Sequence, residues 1–283
     1  MIPVGILTAA ATSSLIGLLD LYPGAIVAFS LRKLRNAYSG SAIRVRRSTD
    51  SAEINIGFTS LGDLDTTTLL SFVGAGSGFI SVWYDQSGNV NNATAINNAN
   101  QFTIVASGVL ITKNSKPSTR IFSTEFMNLS NTITGTAGTM INLSATVSDP
   151  PTLPNGAPFG RSTSSNEASH QPFTDGVIYE NFASTTRKTL GNPTNNTTNL
   201  YLYNAISDVN LYNVKINNTT FFNTTTNTVG FGSAVPYIGR TSSVTFGEFN
   251  FIGFITEIVI YNNNQNSNIS GINSNINTYY TIY

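Results

Sequence analysis

The sequence predicts an all-β protein, a sandwich of two antiparallel sheets with a few short helices. Three observations lead there. Only 10% of the 283 residues are charged while 40% are hydrophobic and 11% aromatic, so there is material for a core and neutral polar groups must cover the surface. Asparagine supplies many of those groups: of 35, all but Asn36 and Asn55 follow residue 85. With Gly and Ser it favours turns, whereas Thr, Val, Ile, Tyr and Phe suit a pleated sheet. Finally, strand-like runs recur at roughly 8–12-residue spacing with turn chemistry between them.

Residues 15–38 hold a helix candidate that Pro23-Gly24 divides, and within it Ala25–Leu31 reads equally well as a buried strand. Residues 42–47 alternate, with Ile43 and Val45 on one face and Arg44 and Arg46 on the other. Asp65 or a following Thr caps a short helix carrying Leu69, Leu70, Phe72 and Val73. The run from Gly74 to Gly78 ends it; without a Lys this is a loop and not a phosphate cradle. Phe79–Tyr84 reads as a strand entering an Asp85-Gln-Ser-Gly turn. Further strands are expected at Phe102–Val105, Val109–Thr112, Leu200–Tyr203, Val209–Ile216, Thr220–Phe222, Val235–Gly239 and Phe251–Tyr261, with a long loop near 148–170. Ile269, Ile272, Ile276 and Tyr279 fall near helical spacing and predict a closing helix.

One domain is expected over residues 22–283. Residues 1–21 precede it as an apolar attachment segment with a single charge, Asp20, too apolar for a free arm. No uninterrupted apolar run reaches the ~18 residues of a membrane span, and no basic region precedes the first apolar run, so an ordinary secretion signal is not expected. Without cysteine there is no disulfide scaffold, thiol nucleophile or thiolate metal site. His170 is the only histidine; its Ser, Asn and Pro-rich surroundings read as an exposed loop. No cofactor and no metal site is expected. Arg32, Lys33, Arg35, Arg44, Arg46 and Arg47 form a basic cluster, but Asp50, Glu53, Asp63 and Asp65 follow it, and the aromatic interleaving of nucleic-acid readers is absent. No nucleic-acid partner is expected.

Ala37-Tyr-Ser-Gly, Val45-Arg-Arg-Ser-Thr-Asp and Trp83-Tyr-Asp-Gln-Ser-Gly with Asn91 resemble the start of the fungal arabinofuranosidase B catalytic domain. That family has a concanavalin A-like jelly-roll sandwich and cleaves arabinofuranosyl groups with a carboxylate pair. The chain is also similar to laminin-G-like domains of bacteriophage virion proteins and Bacteroidetes surface proteins, through Tyr22-Pro-Gly-Ala, Ser30-Leu-Arg-Lys-Leu, the block at 39–48, Ile260-Tyr-Asn and Asn275-Ile-Asn-Thr-Tyr. This second pattern reaches both ends of the chain. It implies a non-enzymatic bacteriophage structural protein located in the virion, as a head fibre, capsid decoration or tail fibre. Residues 1–21 would contact other virion proteins or neighbouring copies, with a homo-oligomer, first of all a trimer, and a host surface glycan as further partners. The alternatives are an arabinofuranosidase-like glycoside hydrolase and a surface lectin. The hydrolase family's cysteines have no counterpart here, and the segments carrying its nucleophile and acid align with no Glu or Asp of this chain, so its catalysis is not carried over.

A retaining glycosidase sets two carboxylates ~5–5.5 Å apart and an inverting one ~6.5–9.5 Å apart. Beyond the region resembling the hydrolase, the conceivable members are Glu125, Glu167, Asp175, Glu180, Glu248 and Glu257. Glu257, in an apolar strand, reads either as a buried acid of raised pKa or as a residue that faces solvent or pairs with one Arg on a sheet face. Trp83, Tyr84, Asp85 and Gln86 read in two ways: as a glycan-binding group, with aromatic faces for a sugar and polar ends for its hydroxyls, or as a strand ending in an Asx turn.

Overall fold

A computed structural model describes residues 16–161, 168–241 and 249–283. Among the described residues all strand pairings are antiparallel. Through hydrogen-bonded neighbours the path runs Phe159–Gly160, Tyr237–Ile238, Met127–Leu129, Ala93–Thr94, Gly78–Trp83, Phe102–Ala106, Thr119–Ile121, Gly253–Tyr261, Gly138–Thr146, Tyr201–Asp208, Leu211–Ile216 and Thr219–Thr224. Ala25–Ser30 adds to Gly253–Tyr261, while Ile43–Arg47 joins Glu53–Ile56 to Gly78–Trp83. Thr119–Ile121 pairs with both Gly253–Tyr261 and Phe102–Ala106 and so links the two layers of the sandwich.

The central layer is buried on both faces, and side-chain alternation sorts its residues between two cores. Val27, Phe29, Met140, Tyr201, Tyr203, Ile258 and Ile260 face the opposite sheet, meeting Ile43, Ile80, Trp83 and Phe102. Their neighbours Ala28, Ile141, Leu143, Leu202, Ile206, Val259 and Tyr261 face α1 (Leu18–Leu21) and α3 (Ile269–Tyr280), where Leu18, Leu19, Ile269, Ile272 and Ile276 close a second core. This two-sided burial explains why Gly253–Tyr261 reads as a nearly continuous apolar run.

α2 (Thr66–Val73) begins as expected: the Asp65 carboxylate accepts from the Thr68 N–H at 3.0 Å and from its hydroxyl at 2.6 Å. The helix candidate over residues 15–38 shrinks to α1, because Ala25–Ser30 goes to the sheet. Gly17 lets this turn approach the main chain: a Cβ there would fall 2.2 Å from the Leu34 carbonyl oxygen. Of the apolar segment 1–21, residues 1–15 lie outside the described residues, while Leu18 and Leu19 pack into the second core. Among the described residues, no helix is long and apolar enough to cross a membrane.

Candidate active site

Within the loop expected near 148–170 and beyond it, the chain folds back across the inner face of the central layer. Three tyrosines of that layer hold it down. Tyr201 and Tyr203, two residues apart and so on one face, donate to the Gln171 carbonyl at 3.2 Å and to the Glu180 carboxylate at 3.1 Å. On the adjacent strand Tyr212 donates to the Phe182 carbonyl at 3.2 Å. Burial lifts all three phenols above their usual pKa, so they act as neutral pegs.

Glu180 ends the short strand Ile178–Glu180 and is almost wholly buried. Its Oε1 accepts from the Ser169 hydroxyl at 2.6 Å and from the Asn181 and Phe182 N–H groups at 2.9 Å each. Its Oε2 accepts from the Gln171 amide and from Tyr203. Burial pushes the carboxyl above the usual carboxylate range, opposed by these donors. None of its hydrogen-bond partners is a cation. Its side chain lines a small cavity with Phe159, Gly160, Arg161, Ser169 and Phe182. Arg161 brings a half-buried guanidinium to that wall: one nitrogen donates to the Gly230 carbonyl, Nε and Nη1 are buried without hydrogen-bond partners, and the group lies 5.1 Å from the Phe231 ring centroid. Burial pulls its pKa down to about 10, which leaves it charged at neutral pH.

The other candidate acids are engaged elsewhere. Glu125 accepts from the Phe122 and Ser123 N–H groups, and exposed Asp175 from the Val177 N–H and the Tyr179 hydroxyl. Glu257 is buried and pairs with Arg32 at 2.8 Å, so the solvent-facing reading fails and the pairing with an Arg holds. Glu167 and Glu248 lie outside the described residues. His170, expected on an exposed loop, is buried. Its backbone pairs with Tyr179, Phe173 and Phe249 lie 4.7 and 4.9 Å from its ring, and Nδ1 donates to the Asn155 carbonyl at 2.6 Å. Burial lowers its pKa and favours the neutral ring.

Trp83 and Gln86 are fully buried and Asp85 nearly so, while Tyr84 is half-buried with its hydroxyl on Asn55 at 2.9 Å. Trp83 Nε1 and Gln86 Nε2 both donate to the Ser30 carbonyl, and Gln86 Oε1 accepts from the Leu34 N–H. Asp85 accepts from the N–H groups of Ala28 at 2.8 Å, Ser87 at 2.9 Å and Asn91 at 3.1 Å, with Gly88 at φ 102° completing the turn. These bonds stitch residues 25–35 to residues 83–91, and none reaches Glu180. Asp85→Ala would leave the Ala28 and Asn91 N–H groups buried without acceptors. A loss of about 3 kcal/mol is expected in equilibrium denaturation, from ~1–3 kcal/mol per stranded donor.

A family model described as alpha-L-arabinofuranosidase B, catalytic, matches residues 23–118. No curated protein matches the chain. Among solved structures, an arabinofuranosidase complexed with arabinofuranosyl-α-1,2-xylobiose superposes with a TM-score of 0.68 at 15% identity, over 92% of this chain and 64% of that one. A family 54 α-L-arabinofuranosidase soaked with a cyclic sulfate inhibitor gives 0.67 at 14% identity, over 92% and 65%. A Glu-to-Gln mutant of such an enzyme, soaked with 4-nitrophenyl α-L-arabinofuranoside, gives 0.67 at 16% over the same shares. The chain thus spans less than two thirds of each of these proteins and shares their fold.

These matches correct the expectation of a non-enzymatic structural protein located in a virion. The matching family model describes a hydrolase's catalytic domain, and the structures that share the fold over nearly all of this chain are arabinofuranosidases. The blocks behind the virion reading have a structural explanation. Those at 22–34 and 260–279 meet where Arg32 donates to Asn275 and Tyr261 to the Tyr22 carbonyl, and Arg32 also pairs with nearby Glu257, so that both ends of the domain are tied together. Such contacts report a fold and not an activity.

Proposed function

We propose that the domain is a glycoside hydrolase that releases arabinofuranosyl groups, with the Glu180 carboxylate at its reaction centre. The observation that carries this reading is the state of Glu180: a buried acid held by five donors, without a cation among them, beside a cavity of about 10 Å³ with room for about one water molecule. Three of those donors, two main-chain N–H groups and an amide, can only donate, so the cage suits the ionised form. A carboxylate so placed can stabilise or attack the positive charge that develops on a sugar ring during glycosidic cleavage. The family match at residues 23–118 and the fold shared with arabinofuranosidases support the choice of sugar. In this reading Trp83–Gln86 is scaffold. The test is release of 4-nitrophenol from 4-nitrophenyl α-L-arabinofuranoside, and of arabinose from an arabinoxylan, by the purified chain. Turnover above the uncatalysed rate is expected; its absence with both substrates would refute the assignment.

A further inference from the structure

A pocket of about 220 Å³ opens where three separate segments meet. Asn89 and Asn91 come from the turn after Trp83, Asn131, Thr132 and Thr134 from the loop after Met127–Leu129, and Asn262 from the end of Gly253–Tyr261. The pocket shares no lining residue with the Glu180 cavity. Two backbone irregularities shape it. In the pairing of Ala25–Ser30 with Gly253–Tyr261 the register passes over Ile26, a bulge that leaves this residue without a partner in the ladder. Asn89 Nδ2 donates to the Ile26 and Ala25 carbonyls there, at 3.1 and 3.2 Å. Val90, between the two lining asparagines, is held at φ 58°. That is a strained conformation for a β-branched residue, of the kind that persists where surrounding bonds impose it and that collects at binding sites. Asn91 imposes it from one side: its Oδ1 accepts from the Asn131 N–H at 2.8 Å and its Nδ2 donates to the Asn131 carbonyl at 3.2 Å, which also fixes the loop 131–134 against the turn.

These bonds leave a set of polar groups unspent. Among the described residues no hydrogen bond engages the Asn89 Oδ1, the side-chain amides of Asn131 and Asn262 or the hydroxyls of Thr132 and Thr134. All five residues are exposed, so a ligand can reach them. Ile26 and Ile133 complete the wall, and no charged residue lines it.

We propose that this pocket binds one neutral sugar unit. Carboxamides and hydroxyls donate and accept, as each sugar hydroxyl does, so groups arriving from three segments suit a ring that carries hydroxyls around its edge. The two isoleucines offer apolar surface for its C–H groups. A charged ligand would give up hydration with no counter-charge in the pocket to offset the loss. The volume lies below the ~300–1,000 Å³ of sites for drug-sized ligands, which limits the occupant to about one ring. Because the protein groups are already solvated, each bond adds little net free energy, and a dissociation constant of about millimolar order is expected. The capacity to bind a sugar stands on the pocket alone; the choice of test sugars rests on the hydrolase reading.

The test follows the asparagine side-chain amide signals of the ¹⁵N-labelled full chain by NMR while xylotriose or L-arabinose is added. The same titration is run on Asn262→Ala, on the double variant Thr132→Ala with Thr134→Ala, and on Glu180→Gln. The replaced side chains of the pocket are exposed and make no hydrogen bonds, so these variants are expected to fold. Saturable shifts of the Asn131 amide are expected in the wild type with at least one of the two sugars. Each pocket variant should weaken that binding by at least about fivefold, the scale of a lost hydrogen bond or two, whereas Glu180→Gln should leave it unchanged. No saturable shift with either sugar, equal binding by the pocket variants, or loss of the shifts in Glu180→Gln would each overturn the proposal. Turnover of 4-nitrophenyl α-L-arabinofuranoside by the wild type is read separately: its absence counts against the hydrolase reading, while the titration still decides the pocket.

Discussion

Glu180→Gln is expected to lower release of arabinose by at least about a thousandfold, the scale on which removal of a carboxylate or base at a reaction centre acts. The substitution keeps the side chain's shape and removes its charge, so circular dichroism should show a folded variant. The pH profile adds a second readout. Burial raises the carboxyl above the usual carboxylate range. A step that needs the ionised form is therefore lost as pH falls through that raised pKa, and the acid limb of kcat/KM should lie above the value of an ordinary glutamate. Ser169 sharpens the sign. Its hydroxyl donates to Oε1 at 2.6 Å and favours the charged form, so Ser169→Ala should raise the pKa further and move the acid limb to higher pH. Full activity in Glu180→Gln, or an acid limb that does not move in Ser169→Ala, would remove Glu180 from the reaction centre. Glu167→Gln and Glu248→Gln, assayed beside it, test whether either acid is the second carboxylate that hydrolysis by this route requires.

The parts of the fold that follow from local rules were legible in the sequence. The Asp65 cap, the closing helix at Ile269 and the turn after Trp83 each have their cause within a few residues. Gly138–Thr146 was not legible, although it lies at the centre of the sheet. It is buried along its whole length and mixes Ser, Thr and Asn with Ile and Leu, so neither an apolar run nor an alternation marks it. His170 was misread for a related reason. Its sequence neighbours are those of a loop, but its burial comes from Phe249, which is remote in the chain, and from pairing with Tyr179. Glu180 stood among six candidate acids, and no local motif separates it from the others. Its distinction comes from Tyr203, brought by another strand, and from Arg161, Ser169 and Gln171, which only the fold assembles around it. The residues that most resemble known families, such as Trp83 and Asp85, are those the fold needs most, which is why they pointed to an architecture more clearly than to an activity.

The largest stability effect is expected at Arg32 and Glu257. Glu257 sits in the central strand Gly253–Tyr261, beside Ser30 in the sheet register. Its carboxylate accepts from Arg32 through both oxygens at 2.8 and 3.0 Å, and from the Ser30 hydroxyl at 2.7 Å. Arg32 in turn donates to Asn275 on α3 at 3.0 Å and lies 5.0 Å from the Tyr279 ring centroid. Burial works against its charge, but Glu257 more than compensates and holds its pKa above the ordinary arginine value. One pair thus joins the first strand, the central strand and the last helix. Both side chains are almost fully buried, so removing either partner leaves the other as a desolvated, unpaired charge. Arg32→Ala and Glu257→Ala should each cost ~3–5 kcal/mol, well beyond the ~0–1 kcal/mol of an exposed pair. The exposed pair Arg47–Asp50, held at 2.6 Å, supplies the internal comparison. Replacing both buried partners together, Arg32→Met with Glu257→Leu, removes the stranded charge and should recover much of the loss. The measurement is urea denaturation of the three variants alongside Asp50→Ala. Single-variant losses below about 1 kcal/mol, or a double variant as unstable as the sum of the singles, would show that this pair does not fasten the two ends of the chain.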